Sequence, residues 1–517
     1  MVADGGPPHG GASPIGRYAP VVSRAVQRRS QSGYNPRPVS EPSDSGSAAP
    51  TAPAPRDRPS ILRMSAPIVV SFWMRSLFTF VDTAYAATLG DAAVAAVGLT
   101  IPFEFLMIAC WVGVSTGLTS HLSQAMGARQ GARIEQLLRS ARTVVWILVP
   151  IFAGIGVGSW FWAPHMGLPA DVARMFGLYA VVLIGGSAFT SFWSIIPDSI
   201  VKAHHDTRAT MWAGIWSNLI NVVLNTLFTF VFHWGVFGIA FSTVVGRFGG
   251  LAYALAKAAK HESARKAQGR DTDPGLDPQP YRSILALALP AALTYALMAL
   301  EASVVNRLLA TQSDATSSIA AYGIYYRVWQ FAFMPIIAAS VAVLPFVARL
   351  SGERDFVAVR RGLRQAMLVG AAYCVFFVTP AVMFGGGALA RALAESEITA
   401  HLTRVALWLV PLAALAAVPF QLCRPAFEGM QRGRPGLVMA IVRYVGLTVP
   451  FGFGGMLLAQ RFGAPPLFGL LAGLIVASAL ASAIFLAWMR RALHAKEAGE
   501  APGAIRPSSA PDPSPAP

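Results

Sequence analysis

Asp82 lies deep in an apolar run that begins near Ile61, within Phe80-Val81-Asp82-Thr83. A carboxylate at the centre of a membrane helix costs roughly 2.5–3.5 kcal/mol on insertion scales, and such groups are kept mainly for ion or substrate pathways. The structural alternative is a hydrogen-bonding Asp, or one at a helix end near the interface. Four further charges stand in apolar runs: Arg75, Glu104, Glu301 and Arg327. Arg75 and Glu104 are about equally far from the turn at Gly90, which puts both about 20 Å below it at 1.5 Å per residue. Glu301 and Arg327 stand in the same relation about Asp314. Each couple is expected to form an ion pair or to lie near one end of a cleft, where a Glu would meet a cationic substrate. His204-His205 offers no metal site, because adjacent side chains at a helix end diverge and only Asp206 accompanies them. A solvated loop is expected there.

Positioning such groups requires helices that cross a bilayer. The chain has 517 residues, 54% hydrophobic and only 13% charged. Apolar stretches of about 20 residues, enough to span a bilayer core as a helix, recur from end to end. The expected fold is an all-α polytopic membrane protein. Twelve spans are read in the first half at roughly 60–88, 94–122, 141–162, 172–200, 209–232 and 236–257, and in the second at roughly 283–309, 318–348, 366–388, 399–427, 437–459 and 466–489. Interior prolines such as Pro67, Pro102, Pro197 and Pro335 are tolerated in membrane helices when neighbours or water satisfy the freed carbonyls. Cys110, Cys374 and Cys423 are far apart in apolar segments and read as small buried residues, with neither disulfide nor zinc spacing.

The net charge of +16 is not the mark of a nucleic-acid partner, because its placement follows membrane topology. Basic residues gather in the tails and in alternate loops: Arg129, Arg133 and Arg139, then Lys202 and Arg208, then Lys257, Lys260, Arg265 and Lys266. The second half repeats this with Arg349, Arg354, Arg360, Arg361 and Arg364, then Arg432 and Arg434, then Arg490 and Arg491. The positive-inside rule places both termini in the cytoplasm. Residues 1–58 and 492–517, rich in Pro, Gly, Ser and Ala, are expected to be disordered cytoplasmic tails.

The halves resemble each other. Ser60-Ile61-Leu62 with Pro67 returns as Ser283-Ile284-Leu285 with Pro290, and Leu138-Arg139-Ser140-Ala141 as Leu363-Arg364-Gln365-Ala366. Six spans separate the copies, so the repeat is parallel, a construction of secondary transporters. The expected organisation is an N-lobe at 59–257, a cytoplasmic linker at 258–282 and a C-lobe at 283–491.

Several motifs then stand in a recognisable order. Pro67 is followed by Val81-Asp82-Thr83, Leu89-Gly90 and Ala96-Val97-Gly98-Leu99. Asp206-Thr207-Arg208 comes next, then Asn221-Val222-Val223-Leu224-Asn225 and Gly235-Val236-Phe237-Gly238-Ile239-Ala240. On these the chain resembles the multidrug and toxic compound extrusion (MATE) transporters across all twelve spans. The resemblance implies two pseudo-symmetric six-helix bundles around a central cleft. It implies export of drugs or other organic compounds in exchange for inward H⁺ or Na⁺, with no other cofactor. By the resemblance a cation site inside the N-terminal bundle would fall on Asp82, Asn221, Asn225 and Thr243, with Asp82 the one acid among the four. The spacing agrees, since residues four apart share a helix face and carboxylate, amide and hydroxyl oxygens suit a hard cation. Burial would equally let Asp82 carry a proton. Interhelical hydrogen bonding by the two asparagines is the alternative.

The C-terminal half departs from a NorM-like pattern: Ala413 and Ala417 stand where a tyrosine and an acid would be, and Met298 replaces the span-7 acid, with Glu301 one turn further on. A DinF-like, N-lobe-driven mechanism fits better. Trp193, Trp212, Trp216 and Trp329 could stack on flat cations but read mainly as packing or interfacial residues. A flippase of the same superfamily for a lipid-linked or amphipathic metabolite is the rival, and twelve spans with the two asparagines favour drug export. The chain carries no nucleophile elbow, phosphate loop or His/Asp metal cluster of an enzyme. A monomer in the bacterial inner membrane is expected, with the bilayer and a small-molecule substrate as its partners.

Overall fold

The computed structural model describes residues 61–269, 275–312, 315–394 and 396–498, with the side chains of residues 75–80 and 91 outside the description. The expected tails lie outside the described residues, apart from residues 492–498, which continue the last helix. The chain is a succession of helices: α1 (Ile61–Leu89), α2 (Asp91–Gly127), α3 (Gly131–Trp162), α4 (Ala170–Ala203), α5 (Thr207–Val231), α6 (Gly235–Ala267), α7 (Pro280–Ala310), α8 (Ala315–Gly352), α9 (Phe356–Leu393), α10 (Glu397–Leu407), α11 (Val410–Gly429), α12 (Gly433–Arg461) and α13 (Pro466–Ala498). Eleven of them, all but α1 and α10, are long and apolar enough to cross a membrane among the described residues. Helix suits these segments because lipid offers no partner for a backbone N–H or C=O, and a helix satisfies its own.

Two sequence expectations need correction. The stretch 399–427 is not one helix. It breaks at Trp408-Leu409 into α10 and α11, where Pro411 opens the second helix and lacks the N–H that continuation would need. The linker expected at 258–282 begins as helix, because α6 runs on to Ala267. Its Lys, Glu, Arg and Ala residues are good helix formers outside the membrane. Beyond it, Gln136 of α3 grips the chain before α7: its Nε2 donates to Asp277 O at 2.7 Å and its Oε1 accepts from Asp277 N at 2.9 Å.

The turns after α2, α4, α8 and α11 are built alike. Each holds a left-handed non-glycine residue: Arg129 (φ 58°), His205 (61°), Arg354 (59°) and Gln431 (59°). In each the following N–H donates at 2.9 Å to the carbonyl five residues back, Gln130 to Ala125, Asp206 to Val201, Asp355 to Leu350 and Arg432 to Phe427. These bonds satisfy carbonyls that a helix end would otherwise leave open. Asp206 and Asp355 then cap the next helix through Ala209 N and Ala358 N. All four turns belong to the basic loops.

α5 packs along α6 and α1 along α5, and in the second half α12 packs along α13 and against α7. α2 meets both α7 and α8, and α1 meets α8, so the halves of the sequence join there. One buried cluster gathers Ile61, Met64 and Ile68 with Phe346, Phe427 and Phe485; another gathers Leu118, Leu122, Ile134, Phe176 and Phe192. Close van der Waals packing holds such helices together, since lipid is as apolar as the side chains. α5 and α12 each contain a widened, π-helical turn, at Leu227–Val231 and Val442–Leu447. Such turns are frequent at functional sites, and each here adjoins a polar residue that reaches an acid on a neighbouring helix.

Candidate functional site

Asp82 of α1 is 6% exposed, and donors from two other helices surround its carboxylate. Thr243 Oγ1 of α6 donates to Oδ2 at 2.8 Å. Asn225 Nδ2 of α5 donates to Oδ1 at 3.0 Å, and Asn221 Nδ2 reaches the same oxygen at 3.4 Å. Asn221 also reaches Thr243 Oγ1 at 2.9 Å, and Ser242 donates to Asn225 Oδ1 at 2.6 Å. The structure thus brings all four residues expected from the sequence into one buried cluster, and adds Ser242.

Local sequence explains the meeting. Asn221 and Asn225 stand one turn apart on α5 and point the same way. Gly246 of α6 faces them: a Cβ there would lie 2.6 Å from Ser217 O and 3.1 Å from Asn221 Cβ. Its absence lets α6 come close enough for Thr243 to reach across.

Charge-assisted bonds from neutral donors are the surroundings of an ionised acid. Asn221 Oδ1, however, is buried with no hydrogen-bond partner. An orphaned buried acceptor costs about 1–3 kcal/mol. A half-turn of that amide would exchange its N–H₂ for its oxygen. Asp82, Asn221, Thr243 and Ser242 would then offer oxygens to a monovalent cation, which suits a hard ion.

The Glu301–Arg327 pair expected from the sequence does not form. Glu104 of α2 pairs with Arg247 of α6, Nη2 to Oε1 at 3.2 Å; the side chain of Arg75, its expected partner, lies outside the described ones. Glu301 of α7 accepts from Thr448 Oγ1 of α12 at 2.8 Å, while Arg327 of α8 is exposed. Equal depth sets the height of two groups, whereas rotation about each helix axis decides whether they face each other. Glu301–Thr448 joins α7 to α12 much as Asp82–Asn225 joins α1 to α5.

Several charges escaped the sequence reading although a lone charge in an apolar run flags them. Arg247 is one. Asp198 is another: it pairs at 2.5 Å within α4 with Lys202, which the sequence placed in a basic loop, and the Lys202 ammonium lies 5.3 Å from the Trp111 ring. Arg424 and Glu428 pair at 3.1 Å within α11, with Arg424 over Tyr295. Both are spaced four apart and the signs are reversed between the halves. Trp212 and Trp216 are exposed, Trp193 packs on Trp146 and Phe189, and Trp329 stacks between Tyr326 and Phe333.

His204 and His205 are not a freely solvated loop. His204 Nε2 lies 3.1 Å from Glu262 Oε1 and its ring stacks on His261 at 5.0 Å. His205 reaches Pro345 O of α8 at 3.5 Å. Burial, aided by the Arg349 charge, brings its imidazole down from 6.5 to about 4. The folded state therefore disfavours the imidazolium. The associated stability is full above pH 6.5 and declines as the pH falls from there through about 4. Histidine NMR on purified protein is expected to show the His205 ring neutral at pH 5; a midpoint near 6.5 would mean that the ring is solvated.

Comparison with known proteins adds the following. The MatE family model matches residues 67–227 and 290–453, one segment in each half. The chain is 25% identical over 370 residues to the "Probable multidrug resistance protein YoeA" of Bacillus subtilis, covering 68% of this chain and 79% of that protein. It is 23% identical over 334 residues to the "FAD transporter" of Shewanella oneidensis, covering 62% and 70%. The bent-form crystal structure of the Vibrio cholerae MATE transporter VcmN is similar in fold at a TM-score of 0.75, with 22% identity, over 84% of this chain and 97% of that one.

Proposed function

The chain belongs to the MATE family of efflux transporters, and from that premise we propose that it is a secondary antiporter. It exports organic compounds, cationic or amphipathic, in exchange for inward H⁺ or Na⁺. The observation that carries this reading is the buried Asp82 carboxylate, held by donors from two other helices, beside the unpartnered Asn221 oxygen. An arriving cation neutralises the carboxylate and the donors lose their charged acceptor. α1, α5 and α6 can then repack and move the substrate pocket. An ion drives such a change only by its different affinity for the two states. A single positive charge moving inward gains about 2.3 kcal/mol per 100 mV. Alanines at 413 and 417 of α11 support a DinF-like, N-lobe-driven scheme over a NorM-like one. The protein works as a monomer in a bacterial plasma membrane, with both termini and the basic turns in the cytoplasm.

Everted vesicles test this. Dye uptake by the wild type is expected to require either an imposed Na⁺ gradient or ΔpH and to collapse when that gradient is removed. Uptake undiminished with both gradients abolished would overturn the antiport reading.

A further inference from the structure

The Asp82 cluster is not sealed on all sides. A cavity of about 150 Å³ adjoins it, lined by Asp82, Tyr179, Thr243, Glu104 and Arg247 among others. At about 30 Å³ per molecule, it has room for several waters. α1 contributes the Asp82 carboxylate to it, α2 the Glu104 carboxylate, α4 the Tyr179 phenol and α6 the Arg247 guanidinium. Arg247 is tied to Glu104 at 3.2 Å and more loosely to Ser191 Oγ at 3.5 Å. Two carboxylates and one guanidinium leave a single net negative charge.

The Glu104–Arg247 pair is poorly explained as a structural brace. Its side chains are 24% and 26% exposed, and for a pair buried to that degree the cost of desolvation offsets much of the attraction. Its electrostatic effect on the cavity is another matter, because charges in a partly buried space are weakly screened. We propose that Arg247, held by Glu104, is a tethered counter-cation of the Asp82 cavity that sets how tightly the driving cation is held and how readily it leaves. Without the guanidinium the cavity is doubly negative and the ion is trapped. Without Glu104 the guanidinium is free to serve Asp82 and excludes the ion. The proposal rests on the reading of Asp82 as the ion-coupling acid.

Three variants separate this role from a structural one: Arg247→Gln, Glu104→Gln and the double substitution. Each is reconstituted in vesicles, and dye transport is measured against the concentration of whichever ion, Na⁺ or H⁺, drives the wild type. Arg247→Gln is expected to lower the half-saturating ion concentration about tenfold and to lower the maximal rate with it, as a trapped ion would. Glu104→Gln is expected to raise the half-saturating concentration about tenfold. The double variant, which restores the net charge, is expected to return to within about threefold of wild type. Shifts of the two single variants in the same direction, or no shift in either, would overturn the proposal. Asp82→Asn is measured alongside. If it abolishes ion dependence while the series shows no opposed shifts, the counter-cation falls and the coupling acid stands. If ion dependence survives it, both fall.

Discussion

Asp82→Asn is expected to reduce ion-driven dye transport by well over tenfold while leaving a folded protein. The substitution keeps the shape of the side chain and removes its charge. In the native cluster Thr243, Asn225 and Asn221 all present donors to the carboxylate. An asparagine at 82 offers them a single oxygen and turns its own N–H₂ towards the rest. Hydrogen bonds to a charged acceptor contribute about 1.5–3 kcal/mol and those to a neutral one about half as much, so some stability is lost. Rotation of the Asn221 amide recovers part of it, because its free oxygen can accept from the new N–H₂. The melting temperature should therefore fall only modestly. Transport falls far more, because no charge remains to be neutralised and ion arrival no longer distinguishes two states. The check is initial transport rate per folded molecule, with folding followed by thermal melting in the same preparation. A folded Asp82→Asn protein with wild-type ion-driven transport would remove this carboxylate from the mechanism.

Much of this arrangement is legible in the sequence, for reasons that also mark where legibility ends. An apolar run measures the depth of hydrocarbon a helix crosses, so the centres of the spans are readable. Helix ends are not, because residues 258–267 are rich in charge and yet continue α6. The break at Trp408-Leu409 is written in Pro411, but an apolar window smooths over it. Asp82, Asn221, Asn225 and Thr243 are readable together because their spacing follows a known family pattern. Ser242 is hidden, since a serine in a membrane helix commonly bonds its own backbone, and this one also does, to Ile239 O. The partners of Glu104 and Glu301 are hidden for a geometric reason. Counting residues from a turn fixes height within the membrane and leaves rotation about the helix axis undetermined. Glu104 faces α6, where Arg247 waits, and Glu301 faces α12, where the widened turn at Val442–Leu447 ends beside Thr448.

Gly127→Leu is expected to block transport by holding open the end of the molecule that carries the basic turns. At that end α2 and α8 cross almost backbone to backbone. A Cβ on Gly127 would run into Arg349 O, and one on Gly352 into Gln124 O, both well inside van der Waals contact. The obstruction in each case is backbone, which cannot swing aside as a flexible side chain would. α2 is also pressed close to α7 nearer the middle, where a Cβ on Gly113 would lie 2.6 Å from Ala288 O. Polar contacts join the same faces. Ser120 Oγ donates to Glu428 O at 2.6 Å, and the His121 ring bridges Ser283 O at 3.0 Å and Gln431 Nε2 at 2.7 Å. These contacts form one closure between α2 and the second half of the chain, and the proposed antiport cycle would have to make and break it each time. Leucine at 127 removes the closed state without touching Asp82. Transport is expected to fall more than tenfold. Ser120, fully buried here, provides the readout: as Ser120→Cys in a background without the three native cysteines, it should resist an impermeant maleimide in the parent and react readily in the Gly127→Leu protein. With the topology proposed above, everted vesicles present the basic-turn side to the reagent. A Gly127→Leu protein that is folded, keeps position 120 protected and transports at the wild-type rate would show that this crossing is not a gate.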